Sequence, residues 1–281
     1  MDPATGLIDS RRDRAADRAL AAAYNAADPF PHIVIDDFLP RPILEMCLAE
    51  FSPDGQAGAA ATYDRPQERM KREYRPEAMS PGPRVLFHAF NSRPFLRFLE
   101  DLTGIGGLIP DPHFLGAGFH EILTGGHLSV HADFNHHKPM DLERRINVLV
   151  YLNEGWEEAH GGALELWDAG MTRCVRRIVP AMNRCVVFNT TSTSWHGNPQ
   201  PVAHPAGTSR KSIALYYYTA TWDGTRRDHT TQFRARPGTA DSADSRVLRQ
   251  ELISDLVPPI LLRAARNLVR RGKAGRGSDK S

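Results

Sequence analysis

Three residues in two stretches of this sequence have the types and spacing of a metal site. His131 and Asp133 flank Ala132 in the run HLSVHADFN. On a β-strand, residues i and i+2 point the same way, so this imidazole and carboxylate can project together into a barrel interior. A third donor stands at His196 in TSWHGNP, 63 residues on (196 minus 133), with room for intervening strands to bring the two stretches together. Two neutral imidazoles and one carboxylate on one face of an octahedron are what non-haem iron(II) needs for oxygen chemistry, the other face staying open for cosubstrate and O₂. Arg210 lies in the apolar run SRKSIALYYYT. A core-facing arginine there is costly without an acid partner, and its planar guanidinium suits the far carboxylate of 2-oxoglutarate while the keto-acid end chelates iron. Ser212 shares that face and adds a hydroxyl, whereas Lys211 points the opposite way. In RINVLVYLN, Asn147, Leu149, Tyr151 and Asn153 share one face, so Tyr151 can offer its phenol to the same cosubstrate.

Other residues compete for these roles. His127 has the i, i+4 relation to His131 that puts both on one face of a strand, but choosing it as a ligand leaves Asp133 and His196 without a task. His136 and His137, beside Lys138 and Pro139, read as loop residues at the mouth of the barrel. Asn135 reads as a turn former. Gly161 and Gly162 read as turn residues, with nothing near them resembling a phosphate loop. Trp156, Trp167 and Trp195 read as core or rim packing.

The elements that must position these groups are mostly strands. Between Phe114 and Trp222 come short β-rich runs with turn residues between them: FLGAGFHEIL, HLSVHAD, RINVLVYLN, ALELWD, TRCVRRIV, NRCVVFN and RKSIALYYYTATW. Roughly eight strands without intervening helical patterns predict an antiparallel sandwich or jelly roll, a mainly β double-stranded β-helix with flanking helices. Upstream, residues 9–27 form a charged, Ala-rich helical pattern, HIVIDDF a short strand, and a helix is expected after Pro40. Residues 51–83 have little periodicity and predict a long loop or mobile lid. RPFLRFLEDLTGI has helical spacing and stops at a cluster of glycines. The expected organisation is a helical and loop region over 1–113 packed on a core of 114–222, then an extension over 223–281. That extension begins as a polar loop. From Pro258 it becomes a helix with Leu261, Ala264, Ala265 and Leu268 on one side and Arg263, Arg266 and Arg270 on the other, ahead of a disordered tail.

Composition excludes more than it assigns. The 281 residues are 41% hydrophobic and 24% charged, enough to bury one generous core. A net charge of +2 announces no nucleic-acid partner. Three scattered cysteines give neither a disulfide framework nor a metal knuckle, which fits a reducing, cytoplasmic compartment. No signal-peptide h-region or membrane-spanning run is present. The C-terminal basic face reads as solvated, with an anionic membrane surface or acidic partner as the alternative. Oligomeric state is not readable.

Taken in order, GGHLSVHADFN, RRINVLVYLNEGW, GGALELWD, WHGNP and RKSIALYYYT resemble the iron(II)/2-oxoglutarate oxygenase superfamily, in its prolyl 4-hydroxylase-like branch, from about residue 29 to 221. The resemblance implies His131, Asp133 and His196 as iron ligands, and Arg210 with Tyr151 at the cosubstrate carboxylate. It implies Fe(II), 2-oxoglutarate and O₂, with ascorbate as an accessory, and hydroxylation of an unactivated C–H bond with succinate and CO₂ as coproducts. The substrate implied is a prolyl residue, a free amino acid or a related small molecule or peptide. Collagen-type members are similar but carry lysine where Arg210 stands, so a collagen-like substrate is not implied. Two other readings remain: a jelly-roll module binding a metal or acidic ligand without turnover, and a membrane-surface hydroxylase of lipid or polysaccharide precursors.

Overall fold

A computed structural model of the protein describes residues 14–51, 61–225 and 228–241. Among these residues four α-helices, α1 (Arg14–Asn25), α2 (Arg41–Leu48), α3 (Pro81–Phe90) and α4 (Arg93–Thr103), accompany thirteen strands. These are β1 (His32–Ile35), β2 (Ala61–Arg65), β3 (Glu68–Tyr74), β4 (Ile109–Pro110), β5 (Gly118–Ala132), β6 (His136–His137), β7 (Leu142–Tyr151), β8 (Leu164–Trp167), β9 (Cys174–Ile178), β10 (Cys185–Asn189), β11 (His196–Asn198), β12 (Arg210–Thr219) and β13 (Gln232–Phe233). Hydrogen bonding links them in the order β1-β10-β7-β12-β5-β11-β8-β9, every pairing antiparallel, and the curled sheet is the expected jelly roll.

The alternation along β7 and β12 decides which face is core and which is cavity. Ile146, Val148 and Val150 on β7, with Ile213, Leu215 and Tyr217 on β12, are buried against Phe87, Phe90, Phe95, Leu99 and Leu102 of the helices. At ~1.5–3 kcal/mol for each large apolar side chain, this layer outweighs the local propensities of the short helices. The alternate residues, Asn147 and Leu149 with Arg210, Ser212 and Tyr216, line the cavity on the other face. Helix α4 stops where its sequence says it should: Gly104 adopts φ 73°, and its N–H caps the Glu100 carbonyl at 2.9 Å.

Three features depart from the sequence reading. The expected long loop over 51–83 contains a hairpin, β2–β3, which pairs onto β5. Its residues, ATYDRPQERMKREY, lack apolar alternation because one face lines a polar cavity and the other meets solvent, so charge stands where hydrophobic residues normally mark a buried face. Helix α3 begins PGP, which reads as a breaker, yet proline is tolerated in the first turn, where its missing N–H has no partner to lose. The segment after Trp222 returns to the sheet as β13 against Ala132 and His131. The basic helix expected from Pro258 lies outside the described residues. No helix among the described residues is long and apolar enough to cross a membrane.

Candidate active site

Strand β5 serves both leaves of the roll. Its first half pairs with β12, its second half with β11 and β13, and β3 runs along both. Gly125, at φ +82°, and Gly126 separate the halves; a Cβ on Gly126 would stand 2.6 Å from the Arg69 carbonyl oxygen and 2.7 Å from Ile122 Cγ2. A bulge follows, because His196 and Asn198, two residues apart on β11, oppose His131 and Leu128, three apart on β5. That extra residue flips the alternation, so Leu128 and His131 both face the cavity. It also explains why His127 does not join the ligands; its ring nitrogen meets the Pro66 carbonyl at 3.2 Å instead.

His131 and His196 are cross-strand neighbours with ring centroids 4.5 Å apart. Asp133 lies between them, Oδ1 3.4 Å from His131 Nε2 and Oδ2 3.4 Å from His196 Nε2. One donor atom from each of the three lies within 4.8 Å of the others. Each imidazole is held from behind: Nδ1 of His131 meets the Ser129 carbonyl and Nδ1 of His196 the Ser194 carbonyl, both at 2.9 Å. A carbonyl only accepts, so both Nδ1 atoms carry the proton and both Nε2 lone pairs face inward, the tautomer a metal requires. Burial pushes His196 down to about 4, keeping it neutral at ordinary pH despite the pull of Asp133. Burial works to raise Asp133, but Arg144, ahead of the two histidines, holds this carboxyl well below the usual range. The donor set, tautomers and protonation states all fit iron(II).

Arg144 was not singled out in the sequence. It is almost wholly buried, its Nη2 is 3.0 Å from Asp133 Oδ2, and its guanidinium carbon lies 3.6 Å from the Tyr216 ring centroid and 4.5 Å from that of Phe134. Asn147 completes the clamp, donating from Nδ2 to Asp133 Oδ2 at 2.7 Å and accepting from Arg144 at 2.8 Å.

At the other end of the cavity Arg210 is 5% exposed, and no carboxylate among the described residues pairs with it. Its Nε donates to the Gly162 carbonyl at 2.7 Å, its Nη2 meets Tyr151 Oη at 3.3 Å, and burial lowers its pKa. Ser212 lies in register opposite Tyr151. Asn198, also missed in the sequence, lines the cavity 3% exposed, with Nδ2 unpartnered among the described residues. A buried cation without an acid and a buried amide donor without an acceptor fit an anionic oxygen ligand. Gly162 is more than a turn residue: φ is +66°, and a Cβ there would stand 2.9 Å from Arg210 Cδ.

The remaining sequence readings separate. Asn153 does not face the site but donates to the Pro180 and Lys211 carbonyls. Asn135 accepts the His229 N–H. Trp156, Trp167 and Trp195 are buried. His136 stacks on Trp222, but His137 is not at the mouth; it is fully buried beside Asp111 and Tyr218, because β6 pairs onto β7 and turns that side chain inward.

Residues 117–218 match the family model described as the 2OG-Fe(II) oxygenase superfamily. The matched segment contains His131, Asp133, His196 and Arg210. The chain is 30% identical over 79 residues to prolyl 3-hydroxylase OGFOD1 of Mus musculus, a match covering 27% of this chain and 14% of that relative's length. Its fold resembles a Trichoplax adhaerens prolyl hydroxylase in complex with a peptide fragment of the hypoxia inducible factor oxygen degradation domain. The TM-score is 0.55 at 17% identity, covering 78% of this chain and 100% of that one. A Pseudomonas putida prolyl-4-hydroxylase aligns at 19% identity and TM-score 0.48, over 71% of this chain and 98% of that one. The family uses Fe(II) and 2-oxoglutarate.

Proposed function

We propose that His131, Asp133 and His196 hold Fe(II), that Arg210, with Tyr151 and Ser212, holds the far carboxylate of 2-oxoglutarate, and that the protein hydroxylates a prolyl residue, an amino acid or a related small substrate, releasing succinate and CO₂. The observation carrying this reading is the shared cavity of about 230 Å³, lined by the three donors and by Arg210, a buried guanidinium with no acid partner among the described residues. The iron, when bound, supplies O₂ activation coupled to oxidative decarboxylation of the cosubstrate. The chain's own residues bind, orient and exclude water. Ser129 and Ser194 carbonyls fix the two imidazole tautomers, and Arg144 with Asn147 fixes the carboxylate. Gly162 and Tyr151 aim Arg210, whose charge a dicarboxylate neutralises on entry. Asn198 offers a donor to the same ligand. No side chain is asked to act as general acid or base.

The test is anaerobic addition of Fe(II) and 2-oxoglutarate to the purified protein, watching for the visible charge-transfer band of a chelated keto acid. The band is expected in the wild type and absent from His196→Ala. A folded, iron-replete wild type without the band overturns the reading and favours a binding module.

A further inference from the structure

We infer that the substrate carries a protonated nitrogen and that Glu73 receives it. This rests on the reading above and specifies its substrate. Glu73 lies on β3 with its side chain lining the cavity, 4% exposed. On this face of the sheet it stands opposite His120, which in turn stands opposite Ser212, itself opposite Tyr151. Neighbouring strands are about 4.8 Å apart, so Glu73 lies roughly 10 Å across the sheet from Ser212, beyond the cosubstrate's anchor but within the same cavity.

The cations near it are engaged elsewhere. Glu68 takes both Lys71, at 3.1 Å, and Arg65, whose Nε donates at 2.8 Å. Arg72 faces the other side of the sheet, toward Glu121. Arg144 belongs to Asp133 and Arg210 to Gly162 and Tyr151. His120 is not a cation, since burial, then Lys71, pushes it down to about 3. Glu73 is left with the Tyr63 hydroxyl at 3.3 Å as its hydrogen-bond donor, and no cationic group of the described residues lies within 4.0 Å. The contrast with Glu68, five residues earlier on the same strand and neutralised twice, makes the point. A carboxylate this deeply buried is expensive unless a positive partner arrives, and the cavity is where one can arrive. An ammonium or a protonated secondary amine, as in a free amino acid or an N-terminal prolyl residue, supplies charge and donors together. An internal prolyl residue, whose nitrogen is an amide, supplies neither.

The experiment is anaerobic calorimetry on the full chain loaded with Fe(II) and 2-oxoglutarate. The probes are L-prolinamide and L-lysinamide, each against its fully N-acetylated form. At least one amine is expected to bind tenfold or more tightly than its acetylated counterpart, and Glu73→Gln is expected to erase that ratio. Equal binding, preference for the acetylated forms, no binding by any probe, or a ratio that survives in Glu73→Gln overturns the inference. The visible band recorded in the same wild-type sample separates the two proposals: band without amine preference overturns this one alone, and no band overturns both. Ligand-free Glu73→Gln is expected to melt at or above the wild-type temperature, because glutamine removes an unneutralised charge and can still accept from Tyr63. A drop of several degrees makes Glu73 a structural partner and overturns the inference as well.

Discussion

The cavity holds two buried arginines whose surroundings differ. Arg144 is balanced within the protein: Asp133 takes its charge, Asn147 accepts from it, and Tyr216 and Phe134 cover its faces. Arg210 is also deeply buried but, among the described residues, has only a carbonyl and a phenol as partners, neither of them charged. Burial of a charge is tolerable when the partner is built in or when it comes with a ligand, so an unbalanced buried charge marks where the molecule is incomplete without one. On the proposed reading, the balanced arginine orients a metal-binding residue and the unbalanced one receives a small acid.

Substitutions at the two ends should therefore behave differently. The largest effect is expected for Asp133→Ala, which removes a metal donor and strands Arg144. Iron content measured by metal analysis should fall to background, turnover should drop by more than the roughly 100-fold seen for outer partners of metal ligands, and stability should fall by about 3–5 kcal/mol. Arg210→Met should act on the cosubstrate alone, with 2-oxoglutarate binding weakened by about 2–5 kcal/mol in an anaerobic titration and iron affinity retained. In that variant 2-oxoglutarate should no longer raise the melting temperature, whereas in the wild type a ligand at 100 times its Kd adds about 2.7 kcal/mol. Equal loss of iron and cosubstrate affinity in Arg210→Met would break the comparison. Next is Arg144→Met, expected to weaken iron binding about 10–100-fold with less effect on 2-oxoglutarate. Smallest is Gly162→Ala, where a side chain at positive φ crowds Arg210. A stability loss of about 1–2 kcal/mol and a several-fold higher 2-oxoglutarate requirement are expected, read by denaturant unfolding and by titration.

The sequence made some of this legible and hid the rest for physical reasons. HxD on a strand, a distant His and an Arg-x-Ser in an apolar run are local patterns, and the structure brings those residues into one cavity. The β-rich texture from Phe114 to Trp222 foretold the roll because alternation on a half-buried sheet is a short-range signal. Arg144 was not legible, and Asn147 only as a member of a strand face, because their significance lies in contacts with Asp133, and an arginine on a strand has no spacing that announces such a clamp. The bulge near Ser129 and Val130 was hidden too, since an inserted residue is defined only by the strand opposite. The hairpin carrying Glu68 and Glu73 was misread because its buried face is charged.

The edge pairing of β1 with β10 has a consequence for how the protein is made. Ile35 lies beside Cys185, so the strand that follows the first helix has no partner until ~150 further residues have been synthesised. At about 5–20 residues per second, that is roughly 8 to 30 seconds during which Ile33 and Ile35 lack the strand beside which they finally pack. The nascent chain thus exposes an apolar strand early and covers it late, so loss of holding chaperones is expected to lower soluble yield even where the finished fold is unchanged.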